Sequence, residues 1–267
     1  MPWRRGLQVV LFDIDDTLTD YRAIVDGAMR QVHAALAAVG LPTAEADFLA
    51  HFWRVKLPVE VEAESAGWSI MEVRRRWMIA TLAACGHPDA AHPDDLAVLY
   101  AEVRDRTVVY QPDAEAVVQQ LAQAYRLGIV SGGGTRLEHF PLAGHFHDAL
   151  FSYQVGLWKP DPLIFRAALE RLGCDPHEAV YVGDDPYRDV AGAIAAGVRS
   201  VWFNPGGRAY PPDAPPPDYV ATSLHDVAAH LLAGREVPSI PRPLSPIARV
   251  KGEANRKDEG VSPPSSS

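Results

Sequence analysis

The chain has 267 residues, 48% of them hydrophobic and 22% charged, with a formal net charge of −9. That length allows one large domain or a core with an appendage, and the acidic balance argues against a nucleic-acid surface, which carries a basic excess or stripe. Two cysteines, Cys85 and Cys174, make no disulfide framework, and no apolar run reaches bilayer length, so a cytoplasmic protein without membrane or nucleic-acid partners is expected.

The first element is the apolar run "LQVVLF", residues 7 to 12, which stops at Asp13. A short apolar run bounded by polar residues suits a buried strand of a parallel sheet. Helical patterns follow near 21 to 39, 43 to 57, 68 to 84 and 93 to 108, broken at "GLPT", "KLPVE…SAGW" and "CGHPDAAHP". Four helices with short connections read as an antiparallel bundle. Beyond them, strand-like runs at 125 to 131, 178 to 183, 199 to 203 and, more weakly, 218 to 222 alternate with helical patterns at 112 to 125, 161 to 173, 186 to 197 and 223 to 234. Such alternation implies βαβ units and a doubly wound parallel sheet.

The expected architecture is therefore an α/β, Rossmann-like core, residues 1–19 and 109–233, with a four-helix cap inserted at 20–108. An insertion after the first strand stands over the carboxyl ends of the strands, where such sheets bind ligands. Residues 234–267, rich in proline, serine and charge, have little to bury and are expected to be a disordered tail.

Polar residues gather where the strands end. They are Asp13, Asp15 and Asp16 after the first, Ser131, Gly132, Gly133 and Gly134 after the second, Lys159 in "KPDPLIF", and Asp184, Asp185 and Asp189 in "VGDDPYRD". Singly, each reads as an ordinary turn or surface residue. In a parallel sheet all of them share one edge, and carboxylates, a hydroxyl, glycine-rich backbone and a lysine then converge.

At this point "DIDDTLTD", "IVSGG", "KPDPLIF" and "VGDDPYRDVAGAIAAG" together resemble the four motifs of the haloacid dehalogenase-like (HAD) superfamily, and the helical insertion resembles its C1-type cap. The resemblance spans residues 7 to about 232. It implies a Mg²⁺-dependent phosphatase acting on a small phosphorylated metabolite. Asp13 would be the nucleophile that forms an aspartyl-phosphate, and Asp15 the general acid/base. The resemblance also implies Asp13, the Asp15 backbone carbonyl and Asp184 as Mg²⁺ ligands, an all-oxygen set suited to a hard cation. Asp185 and Asp189 would support them or substitute for them. Ser131, Gly132 and Lys159 would bind the phosphoryl group. Gly132 stands where the family often has Asn, and Arg188 where it often has Asn.

Other readings share these residues. Phosphomutase-type transfer uses the same motifs and differs in its final acceptor. A non-catalytic phospho-acceptor or scaffold of the same fold would keep the acids without turnover. Receiver domains carry clustered acids on separate strands and no helical insertion, whereas here Asp13 and Asp15 follow one strand. The dehalogenase members are metal-free and usually lack Asp at the second position, so Asp15 favours phosphoryl chemistry.

In the insertion, Arg74, Arg75 and Arg76 read first as a solvated helix face, and Trp53, Trp68 and Trp77 as bundle core. Tyr21 and Arg22 stand at the hinge. "HFH" at 145 to 147 puts both imidazoles on one face of a strand, but with His139 it makes no complete metal set. Cys85 and Cys174, with no neighbouring histidine, read as inert.

Overall fold

The computed structural model describes residues 6–41, 43–89, 92–133 and 140–234. The expected tail from 235 onward, Gly134 and His139 lie outside them.

Strand β1 (Val9–Phe12) is buried at every residue because both of its faces are covered. Val10 and Phe12 point into one core and Val9 and Leu11 into another, the two-sided burial that an all-apolar strand requires. The chain then leaves the sheet for α1 (Tyr21–Ala38), α2 (Glu45–Ala66), α3 (Ile70–Ala84) and α4 (Pro93–Arg106). It returns through α5 (Ala114–Leu121), β2 (Arg126–Ser131), β3 (Asp148–Phe151), the short α6 (Ser152–Val155), α7 (Pro162–Leu172) and β4 (Ala179–Gly183). A π-helical turn (Pro186–Ala191) leads into α8 (Gly192–Ala195), β5 (Arg199–Phe203), β6 (Tyr219–Ala221) and α9 (Leu224–Leu232).

The sheet is parallel throughout, in the order β3-β2-β1-β4-β5-β6. From β1 the chain builds outward to β2 and β3, then restarts on the other side with β4. That reversal opens a crevice at the carboxyl ends of β1 and β4. Helices α5 and α9 cover one face of the sheet, and α7 and α8 the other. The fold is the expected doubly wound core with an inserted four-helix cap.

The cap has its own core, centred on Phe52, Trp77 and Tyr100, whose rings meet edge-on or tilted at 5.8–6.4 Å. Asp20 caps α1 by accepting the Ala23 N–H at 2.8 Å. The segments entering and leaving the cap lie side by side. Asp20 N–H donates to the Val109 carbonyl at 2.8 Å, and Gln111 N–H to the Leu18 carbonyl at 3.0 Å. Both hinge segments thus leave the core at one point.

Three local expectations are corrected, and one strand is added. The break at "KLPVE" does not occur, because α2 runs through Pro58, whose exposed position leaves the freed carbonyl facing water. Strand β3 is not among the expected strands. Its three residues after Asp148 are apolar, and pairing with β2 stabilises it. His145 ends a 3₁₀ turn instead of lying on a strand, and His147 Nδ1 accepts the Leu127 N–H at 3.3 Å. Residues 186–191 form a π turn where an α-helix is expected: the Val190 N–H donates to the Asp185 carbonyl at 3.2 Å, and the Asp185 carboxylate caps the turn by accepting the Tyr187 and Arg188 N–H groups.

Candidate active site

Asp13 follows β1, and its N–H extends the ladder by donating to the Val182 carbonyl at 3.0 Å. The side chain is buried, and its Oδ1 accepts from Lys159 Nζ at 2.7 Å. Lys159 comes from the loop before α7, not from a strand end. Its Nζ also donates to Asp189 Oδ1 at 2.6 Å and to the Tyr181 hydroxyl at 3.0 Å. The Tyr181 hydroxyl lies 2.8 Å from the Val130 carbonyl, which ties this group to β2.

Asp184 leaves β4 toward the same point. Asp13, Asp184 and Asp189 place carboxylate oxygens within 4.8 Å of one another. Burial first, then the neighbouring Asp189 and Asp16, push the Asp184 carboxyl up to about 7. Burial likewise holds Asp13 above the usual carboxylate range, with Asp189 and Asp15 adding to it and Lys159 opposing it. Burial alone would lower the Lys159 ammonium, but Asp13 and Asp189 outweigh it and keep the group charged. Lys159 pairs with two of the three crowded carboxylates, and Arg208 Nη2 lies 3.4 Å from the third, Asp184.

Asp15 stands outward of Asp13, against the loop after β2. A Cβ on Gly133 would lie 2.2 Å from Asp15 Oδ2, so only glycine lets the two segments meet here. Ser131 is fully buried, and its Oγ accepts the Gly133 N–H at 3.1 Å. The hydroxyl proton is then available to an incoming oxygen. A Cβ at Gly132 would meet nothing closer than Ser152 Oγ at 3.9 Å, so glycine is not sterically required there. Asp16 takes a left-handed turn at φ 61° and accepts the Tyr21 N–H.

The structure thus gathers Asp13, Lys159, Asp184 and Asp189 in one cluster, with Asp15, Ser131 and Gly133 beside it. Asp185 is turned away, occupied in capping the π turn, and Asp189 is committed to Lys159, Tyr181 and the Asp185 N–H.

Three contributors were not singled out from the sequence. Tyr181 had a signal, being a polar-tipped ring inside the buried run "AVYVG". Arg104, on α4, reaches Asp15 Oδ2 at 3.6 Å, and nothing in "VRDR" separates it from Arg106. Arg208 places Nη2 2.9 Å from the Asp184 carbonyl, from a loop with no regular pattern. Arg74 is a correction. It is buried, whereas the neighbouring Arg75 and Arg76 are partly exposed, as a solvated face would have them. Trp77 is core, as expected. Cys85 does have histidine neighbours, lining a small cavity with His33 and His87, but burial holds its thiol above the usual range.

Residues 7–197 match the family described as haloacid dehalogenase-like hydrolase. The chain belongs to the haloacid dehalogenase-like hydrolase family. Among its curated relatives is a phosphoserine phosphatase of Thermus thermophilus, 35% identical over 240 residues, or 79% of this chain and 94% of the relative. A glyceraldehyde 3-phosphate phosphatase of Methanopyrus kandleri is 29% identical over 75% of this chain and 85% of the relative. Of solved structures, a 2-haloacid dehalogenase from Pseudomonas syringae is 33% identical, with a TM-score of 0.65 over 85% of this chain and 98% of that one. The HAD-hydrolase YfnB of Bacillus subtilis, solved bound to magnesium, shares the fold at a TM-score of 0.72 and 24% identity, over 85% of this chain and 99% of that one. This HAD hydrolase therefore has relatives named as phosphatases and a structural relative named as a dehalogenase. Among the described residues, no helix is long and apolar enough to cross a membrane.

Proposed function

We propose that this HAD hydrolase is a Mg²⁺-dependent phosphatase that dephosphorylates a small metabolite through an aspartyl-phosphate on Asp13. The observation that carries the reading is the crowding of Asp13, Asp184 and Asp189, whose oxygens lie within 4.8 Å of one another with Lys159 bonded to two of the three. Attack on a halogen-bearing carbon needs no such acid cluster. A phosphatase needs it to hold a cation.

The donor set fits Mg²⁺. It is all oxygen, and its three carboxylates lie within 4.8 Å of one another. The Asp13 and Asp184 carboxylates, with the Asp15 backbone carbonyl, would hold the ion. When bound, it supplies the positive charge that lets a dianionic phosphate approach an anionic carboxylate.

The chain's own residues do the rest. The Asp13 carboxylate attacks phosphorus, splitting one hard displacement into two easier steps. Asp15 protonates the leaving oxygen, then takes a proton from the water that cleaves the acyl phosphate. Ser131 and the N–H of Gly132 bind phosphoryl oxygens. Lys159 keeps Asp13 in line while Asp189 and Tyr181 hold the lysine, so the site is preorganised for developing charge. Asp185 shapes the turn that delivers Asp189. Residues 20–108 act as a cap that excludes bulk water, hinged where both connections leave the core.

The decisive assay is turnover of p-nitrophenyl phosphate and a panel of phosphate esters, with 2-chloropropionate as a dehalogenase arm. Mg²⁺-dependent phosphate release with no chloride release is expected. Chloride release alone, or no phosphate release from any ester, overturns the reading.

A thermal shift supplies a test independent of activity. Saturating Mg²⁺ is expected to raise Tm by ~5–10 °C at about pH 8, and Asp184→Asn to remove most of that rise. The increment shrinks toward about pH 5, because the Asp184 carboxyl, pushed up to about 7, then holds a proton in the folded protein. The metal-free protein behaves oppositely. Its stability falls as pH rises from the unfolded carboxylate range toward about 7, since the unfolded chain sheds the proton first. A Tm that ignores Mg²⁺ at both pH values contradicts the metal site.

A further inference from the structure

Residues 204–218, "NPGGRAYPPDAPPPD", join β5 to β6 with no helix or strand, and six of the fifteen are proline, whose ring fixes φ. The hydrolytic roles do not use this loop, but it folds back onto a residue that they do use. The buried Trp202 of β5 donates its indole N–H to the Asp184 carbonyl at 2.8 Å. Arg208 donates from Nη2 to the same carbonyl at 2.9 Å, so both lone pairs of that oxygen are taken. The N–H of the same peptide unit belongs to Asp185 and donates to Asp189 Oδ2 at 3.0 Å. A peptide unit is planar, so three hydrogen bonds at its two ends fix its orientation.

The brace is itself held. The buried Asn204 amide clamps the Arg208 backbone, donating from Nδ2 to the Arg208 carbonyl at 2.9 Å and accepting the Arg208 N–H at 3.0 Å. The Asn204 N–H donates to the Ala221 carbonyl of β6 at 2.7 Å, which ties the turn to the sheet. The Arg208 guanidinium lies 6.0 Å from the centre of the Trp202 ring, and the Tyr210 ring 4.8 Å from it. Burial does not force Arg208 into place, since its side chain is 56% exposed. Satisfying the carbonyl does not require it either, since the indole already serves that oxygen. The second donor adds a fixed peptide.

That peptide carries the Asp184 carboxylate, a cation ligand on the Mg²⁺-dependent phosphatase reading, which this inference rests on and deepens. With the peptide held, only the side-chain torsions of Asp184 move the carboxylate. Mg²⁺ demands near-ideal octahedral geometry at about 2.0–2.1 Å, whereas Ca²⁺ accepts irregular geometry at about 2.3–2.6 Å. A fixed ligand therefore favours the smaller ion, and slack in the ligand penalises it.

We propose that Trp202 and Arg208 are positioning residues, which hold Asp184 for the cation and so set the preference of the site for Mg²⁺ over Ca²⁺. Arg208 Nη2 also stands 3.4 Å from Asp184 Oδ2. Its charge repels both divalent ions alike, so that effect moves both affinities and leaves their ratio unchanged.

The test reads cation affinity without turnover. Kd for MgCl₂ and for CaCl₂ is taken from the concentration dependence of Tm, with the full chain at constant pH and ionic strength and each variant compared with its own metal-free Tm. In Trp202→Phe, which keeps a ring and removes the N–H, Mg²⁺ affinity is expected to fall by at least ~10-fold and Ca²⁺ affinity by no more than ~3-fold. Arg208→Met is expected to lower the Mg²⁺/Ca²⁺ affinity ratio in the same direction, and Arg208→Lys, which keeps a donor, to restore part of it. A ratio within about twofold of wild type in either folded variant overturns the proposal, whether neither affinity changes or both fall together. If Trp202→Phe does not fold, Arg208→Met decides alone: a lowered ratio supports the proposal and an unchanged one overturns it. In those failures the wild type still binds Mg²⁺, and the metal site stands. A wild-type Tm that ignores both cations instead overturns the metal site, and this proposal with it.

Discussion

Asp13→Asn is expected to reduce turnover of any phosphate ester by at least ~10³-fold, because the amide cannot attack phosphorus. The fold should survive. The substitution removes one acid from an over-acidic cluster, and Lys159 keeps its contacts with Asp189 and Tyr181. The expected pattern is near-wild-type Tm with activity at background. Brief incubation of the wild type with ³²P-labelled ester followed by acid quenching should leave label on the protein, and the variant should carry none. Comparable turnover in folded Asp13→Asn would exclude this residue as nucleophile.

Lys159→Met should fail differently, losing both activity and stability. The ammonium is 6% exposed and stands between Asp13 at 2.7 Å and Asp189 at 2.6 Å. Removing one partner of a buried ion pair while leaving the other costs ~3–5 kcal/mol, and here two carboxylates are left facing each other. A chain of this size loses about 2–4 °C of Tm per kcal/mol, so a drop of ~6–20 °C is expected near neutral pH. The deficit should narrow as pH falls, because protonating Asp13, whose carboxyl burial already holds above the usual range, removes the repulsion that the lysine had offset. A pH-independent deficit would mean that lost packing, not unpaired charge, is what the variant feels. The same variant in saturating Mg²⁺ should regain part of its Tm, since a cation at Asp13 and Asp184 relieves the same repulsion.

On the proposed phosphatase reading, residues at the ends of β1, β2 and β4 meet the phosphoryl group, and the sheet's direction holds them at one edge. Arg104 of α4 lies 3.6 Å from Asp15, so the inserted helices and the core touch beside the candidate site.

Much of the core site was legible locally. Each apolar run ends in a polar residue, and a strand buried on both faces needs no partner information to be recognised as apolar throughout. Asp13, Ser131 and Asp184 follow from where those runs stop. Other features had no local signal. Strand β3 is four residues long and exists by pairing with β2, so its stability is absent from its own sequence. Pro58 breaks an isolated helix, yet α2 continues because the lost hydrogen bond faces solvent. The turn at 186–191 carries an i→i+5 bond from the Val190 N–H to the Asp185 carbonyl, and a helical hydrophobic pattern does not separate that pairing from i→i+4.

The charged residues divide along the same line. By itself the sequence determined the alternating core, the inserted helices and the identity of the acids at the strand ends, since burial patterning and chain direction act over a few neighbouring residues. Only the tertiary structure decided which charges meet. Lys159 reaches an aspartate 146 positions away, and Arg104 reaches Asp15 across the hinge. Arg74 is buried while Arg75 and Arg76 beside it are partly exposed. Coulomb energy depends on distance and dielectric, and for three consecutive arginines on one helix both are set by what the fold packs against each face.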